Sequence, residues 1–140
     1  MQTTLYREHH RAIRDLISRM PQGLAAPVEE QVRPVLVKLT GLLKVHFKFG
    51  DDRLYPAMLA NVDPDVRARA EAFQAEMGGF SEAFGRFSEQ WIAPHAIATD
   101  PAGFARDWTG IRSALGGWMD REDRDLYALV DSKVQLEGVR

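Results

Sequence analysis

Apolar residues recur along most of the chain at spacings of three and four, which is the period of one face of an α-helix. No stretch alternates apolar and polar residues with the period of two that would indicate a β-strand. Turn-forming residues divide the chain into segments of helical length, and they cluster at Pro21 to Pro27, at Asn61 to Pro64 and at Pro94 to Pro101. The pattern therefore predicts an all-α protein with four amphipathic helices, over about 4–20, 29–60, 64–91 and 101–132.

Four such helices with short connections pack most economically as an up-down-up-down antiparallel four-helix bundle, which we expect to form a single domain over residues 1–140. Thr3 or Thr4, Asp63 and Asp100 are predicted N-caps, and Pro34 predicts a kink or a late start of the second helix. The connection over about 92–101 is predicted to be a loop that holds His95 as an ordinary surface residue.

Composition narrows the classes of function. The formal net charge is only -2 with Lys and Arg spread along the chain, so we expect no nucleic-acid partner. No apolar run approaches the ~20 residues of a membrane span and the N-terminus is polar, so we expect no membrane association and a cytoplasmic location. Cysteine is absent, so a metal site must use His, carboxylate or Met. Common hydrolase and nucleotide-binding motifs are absent, and we expect no enzyme activity.

Partner proteins are suggested only by aromatic residues that we expect at the surface. A surplus of exposed aromatic side chains is typical of interaction surfaces, and it favours a homodimer or an unidentified protein partner. The residues in question are Phe47, Phe49, Trp91 and Trp108.

Polar residues on the inward stripes are candidates for chemistry, because bundle interiors hold metals between facing helices. One of His9 and His10 must lie near the inward face of the first helix, and a helical wheel slightly favours His9. His46 continues the apolar stripe of the second helix and needs a partner for its ring nitrogens. At least one carboxylate is expected to face the axis from each of the pairs Asp51/Asp52 and Glu122/Asp123.

Three segments, EHHRAIRDLI, HFKFGDDRLYP and WMDREDRDLYALV, resemble the hemerythrin-like or HHE cation-binding domains. The resemblance covers nearly the whole chain and implies the same four-helix bundle. In that family two irons lie between the helices, held by histidines from every helix and by two bridging carboxylates. The second segment is the most specific, and it matches at His46, Phe47, Asp51, Leu54, Tyr55 and Pro56.

Carried over position by position, the resemblance retains three of seven ligands, at His10, His46 and Asp123. The other four positions hold residues that replace the family's ligands, namely Gly50, Met77, Ser81 and Trp118. In the family, the three retained ligands all bind the same one of the two irons. The resemblance therefore implies a degenerate site able to hold one Fe or Zn ion through two histidines and a carboxylate. Asp51 and His9 are weaker candidates as ligands.

Several interpretations remain open at this level. The first is a single-metal cation-binding or sensory protein, for which we do not expect reversible dioxygen binding at a di-iron centre. The second is a metal-free regulatory or protein-interaction module, in which Met77 and Trp118 fill the space of the lost centre and the histidines hydrogen-bond to Asp123 or to each other. A haem with Met77 and His46 as axial ligands, and a mononuclear iron enzyme, have less support in the sequence.

Overall fold

The computed structural model describes residues 2–21 and 28–134 of the chain. These residues are almost entirely helical and contain no strand, which confirms the prediction of an all-α protein. The predicted turn from Pro21 to Pro27 lies largely outside the described residues. The helices are α1 (Thr4–Arg19), α2 (Glu29–Phe49), α3 (Tyr55–Leu59), α4 (Pro64–Ile92), α5 (Ala96–Thr99), α6 (Pro101–Arg121) and α7 (Ala128–Lys133).

The long helices form the predicted four-helix bundle. α1 packs on α2, α2 on α4 and α4 on α6, and α6 contacts α1 to close the ring. The apolar stripes meet along the axis, where Ile13, Leu36, Leu39 and Leu115 are completely buried. Burying one face of each helix against the others is the main source of stability for such a fold.

Two of the predicted caps are present in the structure. The carboxylate of Asp63 accepts a hydrogen bond from the Asp65 amide at 2.9 Å, and that of Asp100 accepts one from the Gly103 amide at 3.0 Å. Thr3 precedes α1, but its hydroxyl does not cap the helix. It donates instead to Asp131 at 2.8 Å, which joins the start of α1 to α7.

The structure fixes the start of α2 and corrects the predicted loop after α4. α2 begins at Glu29, as the predicted segment does, so the alternative of a late start near Pro34 is excluded; Pro34 lies inside the helix, where it has no backbone N–H to donate. The predicted loop over about 92–101 contains the short helix α5, in front of which the exposed His95 takes the left-handed conformation with φ 68°. The Glu29 carboxylate holds this connection by accepting hydrogen bonds from the amides of His95, Ile97 and Ala98.

The expectation of exposed aromatics is also wrong. Trp91 and Trp108 are buried with Phe104 in an aromatic cluster, and Phe47 is buried against Phe80. Phe49 is half-buried beneath the Arg53 guanidinium. These side chains complete the core, so they give no support to a homodimer. Among the described helices, none has the length and apolar character needed to cross a bilayer.

Two π-helical segments interrupt what the pattern predicted as continuous helices. Gly50–Leu54 follows α2, and Glu122–Tyr127 follows α6. In a π-helix the backbone hydrogen bonds join residues five apart, so a turn takes more residues than in an α-helix. Side chains beyond each segment are therefore rotated relative to an uninterrupted α-helix, and residues five apart are brought to a similar side.

Candidate metal centre

A buried polar cluster lies between α1, α2 and the second π-helical segment. α1 contributes His10, α2 contributes His46 and the π-helical segment contributes Glu122. The relative exposures are 0%, 4% and 2%, so all three side chains are removed from solvent. Buried ionisable groups are costly unless they are paired or bind a cation.

The three side chains point their donor atoms at one another. His10 Nε2 lies 2.9 Å from Glu122 Oε1, and His46 Nε2 lies 3.2 Å from the same oxygen. The two histidine Nε2 atoms are themselves 3.2 Å apart. Among the described residues these side chains form the group of His and carboxylate ligands with a spacing suited to a metal ion.

Tyr127 brings a fourth heteroatom to the cluster. Its hydroxyl lies 3.2 Å from His10 Nε2 and 3.4 Å from His46 Nε2. The residue is completely buried, with its ring beside those of Tyr6 and His10. Sequence reasoning did not single out Tyr127.

Asp123 lies on the outer side of His10. Its Oδ1 is 2.9 Å from His10 Nδ1, the ring nitrogen that faces away from the cluster. Arg14 donates to its Oδ2 at 3.0 Å, and Arg7 lies 3.9 Å from its Oδ1. A carboxylate in this position fixes the orientation and tautomer of a histidine ligand.

His9 and His10 both contact His46, but at opposite nitrogens. The half-buried His9 places Nδ1 at 3.1 Å from His46 Nδ1, outside the cluster. Burial, followed by the nearby histidines His46 and His10, lowers the pKa of His9. His10 therefore faces the interior, and His9 supports His46 from behind.

The charges within the cluster follow from its hydrogen bonds. Burial by itself would raise the pKa of Glu122, but hydrogen bonds with His10 and His46 and their charges outweigh it, so the pKa is lowered. Burial, followed by the charge of Glu122, raises the pKa of Tyr127 well above its ordinary value. At neutral pH Glu122 is thus a carboxylate, and Tyr127 has a hydroxyl proton to donate.

The predicted ligands are partly brought together. His10 and His46 meet as expected, whereas the carboxylate that faces both comes from Glu122, and Asp123 reaches only the outer nitrogen of His10. Glu122 follows the buried Leu115 and Trp118 by seven and four residues, so ordinary α-helical spacing already directs it inward and turns the adjacent Asp123 away. Asp51 and Asp52 are both exposed on the first π-helical segment and take no part in the cluster, so the expectation that one of them faces the axis is wrong.

The positions where the resemblance implied lost ligands are buried, except for Ser81. Met77 and Trp118 are buried, at 5% and 2% exposure, and Ser81 is half-buried. A Cβ at Gly50 would lie 3.2 Å from Tyr55 Cε2 and 3.4 Å from Met77 Sδ. The Tyr55 ring and the Met77 thioether therefore fill the volume that a side chain at position 50 would need.

A correspondence between two segments would have identified Glu122 as the inward carboxylate. HFKFGDDRLY from His46 and WMDREDRDLY from Trp118 are identical at three of ten positions, which hold an Asp, a Leu and a Tyr, and each passes into a π-helical segment. In this register Glu122 corresponds to Gly50, and Tyr127 corresponds to Tyr55. Asp123 then corresponds to the exposed Asp51.

Comparison with known proteins agrees with this architecture. The family model of the hemerythrin HHE cation-binding domain matches residues 1–130. No curated protein and no solved structure gives a significant match. The match covers most of the chain, including all the residues of the buried cluster, and the chain belongs to the hemerythrin HHE cation-binding domain family.

Proposed function

We propose that the protein binds a single Fe or Zn ion through His10 Nε2, His46 Nε2 and Glu122 Oε1, as a cation-binding or sensory protein and not as an enzyme. The observation that carries the proposal is the convergence of these three atoms within 3.2 Å of one another in a site closed to solvent. Two imidazoles and a carboxylate suit both zinc and ferrous iron.

Both ring nitrogens of His10 face carboxylates, and this arrangement favours a positive charge at the centre of the cluster. A carboxylate accepts but does not donate, so His10 Nδ1 carries the proton that it shares with Asp123. The Nε2 atom donates to the Glu122 carboxylate at 2.9 Å only if it carries a second proton, and without that proton two lone pairs would face each other. Either a second proton on His10 or a metal ion removes this repulsion, and the ion satisfies His46 and Glu122 as well.

The residues that this chain has at the positions of the family's other ligands argue against a di-iron dioxygen carrier. Gly50 offers no side chain, and Trp118 and Met77 replace histidines with an indole and a thioether in a filled core. An ion bound by His10, His46 and Glu122 would supply a positive charge that links three helices. Such a link allows occupancy of the site to change the stability of the bundle, as a sensory role requires.

Metal content is the direct test. Protein purified without chelators is expected to contain about one equivalent of Fe or Zn by elemental analysis. Removal of a ligand by His46→Ala or Glu122→Gln should weaken zinc binding in calorimetry by at least about 100-fold, beyond the 10–100-fold loss typical of outer-shell partners.

The matched controls are His95→Ala and Glu82→Gln, because both residues are exposed and lie away from the cluster. Their zinc affinity should equal that of the wild type. A stable wild-type protein that neither contains nor takes up metal would contradict the proposal and support the alternative of a metal-free regulatory or protein-interaction module. About two equivalents of iron would contradict the single-ion site.

A further inference from the structure

We propose that the oxygen of Tyr127 is a fourth ligand, giving up its proton to solvent as the ion binds, and that with it the site closes around the ion as a tetrahedral centre. This inference rests on the proposed single-ion function and defines the class of cation, of which zinc is the common biological example. The centre would then leave no coordination position open to dioxygen or a substrate.

The spacing of the four donor atoms fits this geometry. Donors at about 2.0–2.1 Å from a tetrahedrally coordinated ion lie about 3.3–3.4 Å from one another. The observed separations among His10 Nε2, His46 Nε2 and Glu122 Oε1 are 2.9, 3.2 and 3.2 Å. Tyr127 Oη adds separations of 3.2 and 3.4 Å from the two nitrogens. Five of the six edges of such a polyhedron are thus already present, and the sixth would join Tyr127 Oη to Glu122 Oε1.

The backbone explains why Tyr127 reaches the cluster. Glu122 and Tyr127 are the first and last residues of the second π-helical segment. In an α-helix residues five apart point in clearly different directions, whereas the wider π-helical turn brings them to a similar side. The segment therefore directs both oxygen donors towards the histidines.

Tyr55 provides an internal comparison. It holds the same place at the end of the first π-helical segment, five residues after Gly50. Its hydroxyl is buried and has no hydrogen-bond partner among the described residues, whereas the Tyr127 hydroxyl contacts both histidines. Of the two tyrosines, the one that follows a carboxylate is thus the one whose hydroxyl lies among possible metal ligands. This difference supports a role for Tyr127 in binding the ion.

The experiment compares Tyr127→Phe with Tyr55→Phe, since each variant removes one buried hydroxyl and keeps the ring. Zinc affinity is measured by competition with a chromophoric chelator, and Co²⁺ serves as a spectroscopic substitute. Wild type and Tyr55→Phe should show the intense visible absorption of tetrahedral Co²⁺. Tyr127→Phe should bind zinc about 10–100-fold more weakly and show the weaker absorption of a higher-coordinate ion completed by water.

Equal zinc affinity and an unchanged Co²⁺ spectrum in Tyr127→Phe would overturn the inference while leaving the three-ligand site intact. A wild-type Co²⁺ spectrum typical of six-coordination would overturn it as well, even if Tyr127→Phe failed to fold. A folded wild type that binds neither Zn²⁺ nor Co²⁺ would overturn the proposed function itself.

Discussion

Glu122 and Asp123 are adjacent carboxylates with different surroundings. Glu122 is buried and faces two histidines, whereas the Asp123 side chain is 26% exposed and lies between His10 and Arg14. One is positioned to bind an ion directly, and the other is positioned to orient a histidine that does so.

Asp123→Asn tests this division. The amide keeps an oxygen for the hydrogen bond from His10 but removes the charge that favours the correct tautomer, so zinc affinity should fall by roughly 10–100-fold. Isothermal titration calorimetry would measure the change beside Glu122→Gln and the control Asp125→Asn, whose half-buried carboxylate pairs with Arg124 and not with the cluster. A loss for Asp123→Asn as large as that for Glu122→Gln would show that Asp123 is itself a ligand.

At the scale of elements, the helices could be predicted from the sequence and the π-helical segments could not. Apolar spacing and the Asp-Pro starts are local signals, and they placed α4 and α6 correctly. A π-helical turn depends on how side chains pack across the bundle, and neither segment carries a local breaker beyond Gly50. Asp123 was predicted for a different reason, because the family's last carboxylate was placed one residue too far along the chain, although Glu122 has the same spacing from Trp118 as Gly50 has from His46.

The glycines within helices differ in what surrounds them. Gly79 lies in the middle of α4 on its solvent-exposed side, where an added Cβ would meet nothing within 4 Å. A Cβ at Gly50 would touch Tyr55 and Met77. Gly79→Ala should therefore stabilise the protein by about 0.5–1 kcal/mol, and Gly50→Ala should gain less or lose stability. Urea unfolding of both variants measures the difference, and equal gains would show that the space beside Gly50 is not filled.

At the scale of the whole molecule, Glu29 joins the start of α2 to the connection between α4 and α6. Hydrogen bonds from backbone amides, with that of Ala98 foremost, lower the pKa of this carboxyl below its ordinary value of 4.5. A folded-state pKa below the unfolded value means that the contribution to stability is present above pH 4.5 and is lost as pH falls through the folded value.

Urea unfolding of wild type and Glu29→Gln between pH 7 and pH 3 measures this contribution. The wild type should be the more stable at pH 7, and the difference should shrink as the pH falls below 4.5. The exposed neighbour Glu30 supplies the control Glu30→Gln. A difference that stays constant across the range would show that the Glu29 charge does not contribute.

The bundle and its two inward histidines follow from periodicity and from family resemblance, but the complete cluster depends on tertiary packing. His10 and His46 could be identified because each lies in a recognisable segment. Tyr127 resembled any core aromatic residue, and only its distance from both histidines distinguishes it. The prediction that aromatic residues lie at the surface was wrong because Trp91 and Trp108 pack on Phe104 in the core.

The wide separation of the cluster residues along the chain has a thermodynamic consequence. His10 and His46 are 36 residues apart, and His46 and Glu122 are 76 apart, so an ion held by all three would act as a reversible cross-link across most of the polypeptide. An ion that binds the native but not the unfolded chain adds about 2.7 kcal/mol of stability at a free concentration of 100 times its dissociation constant. The resistance of the chain to unfolding and proteolysis would then follow the free metal concentration around it.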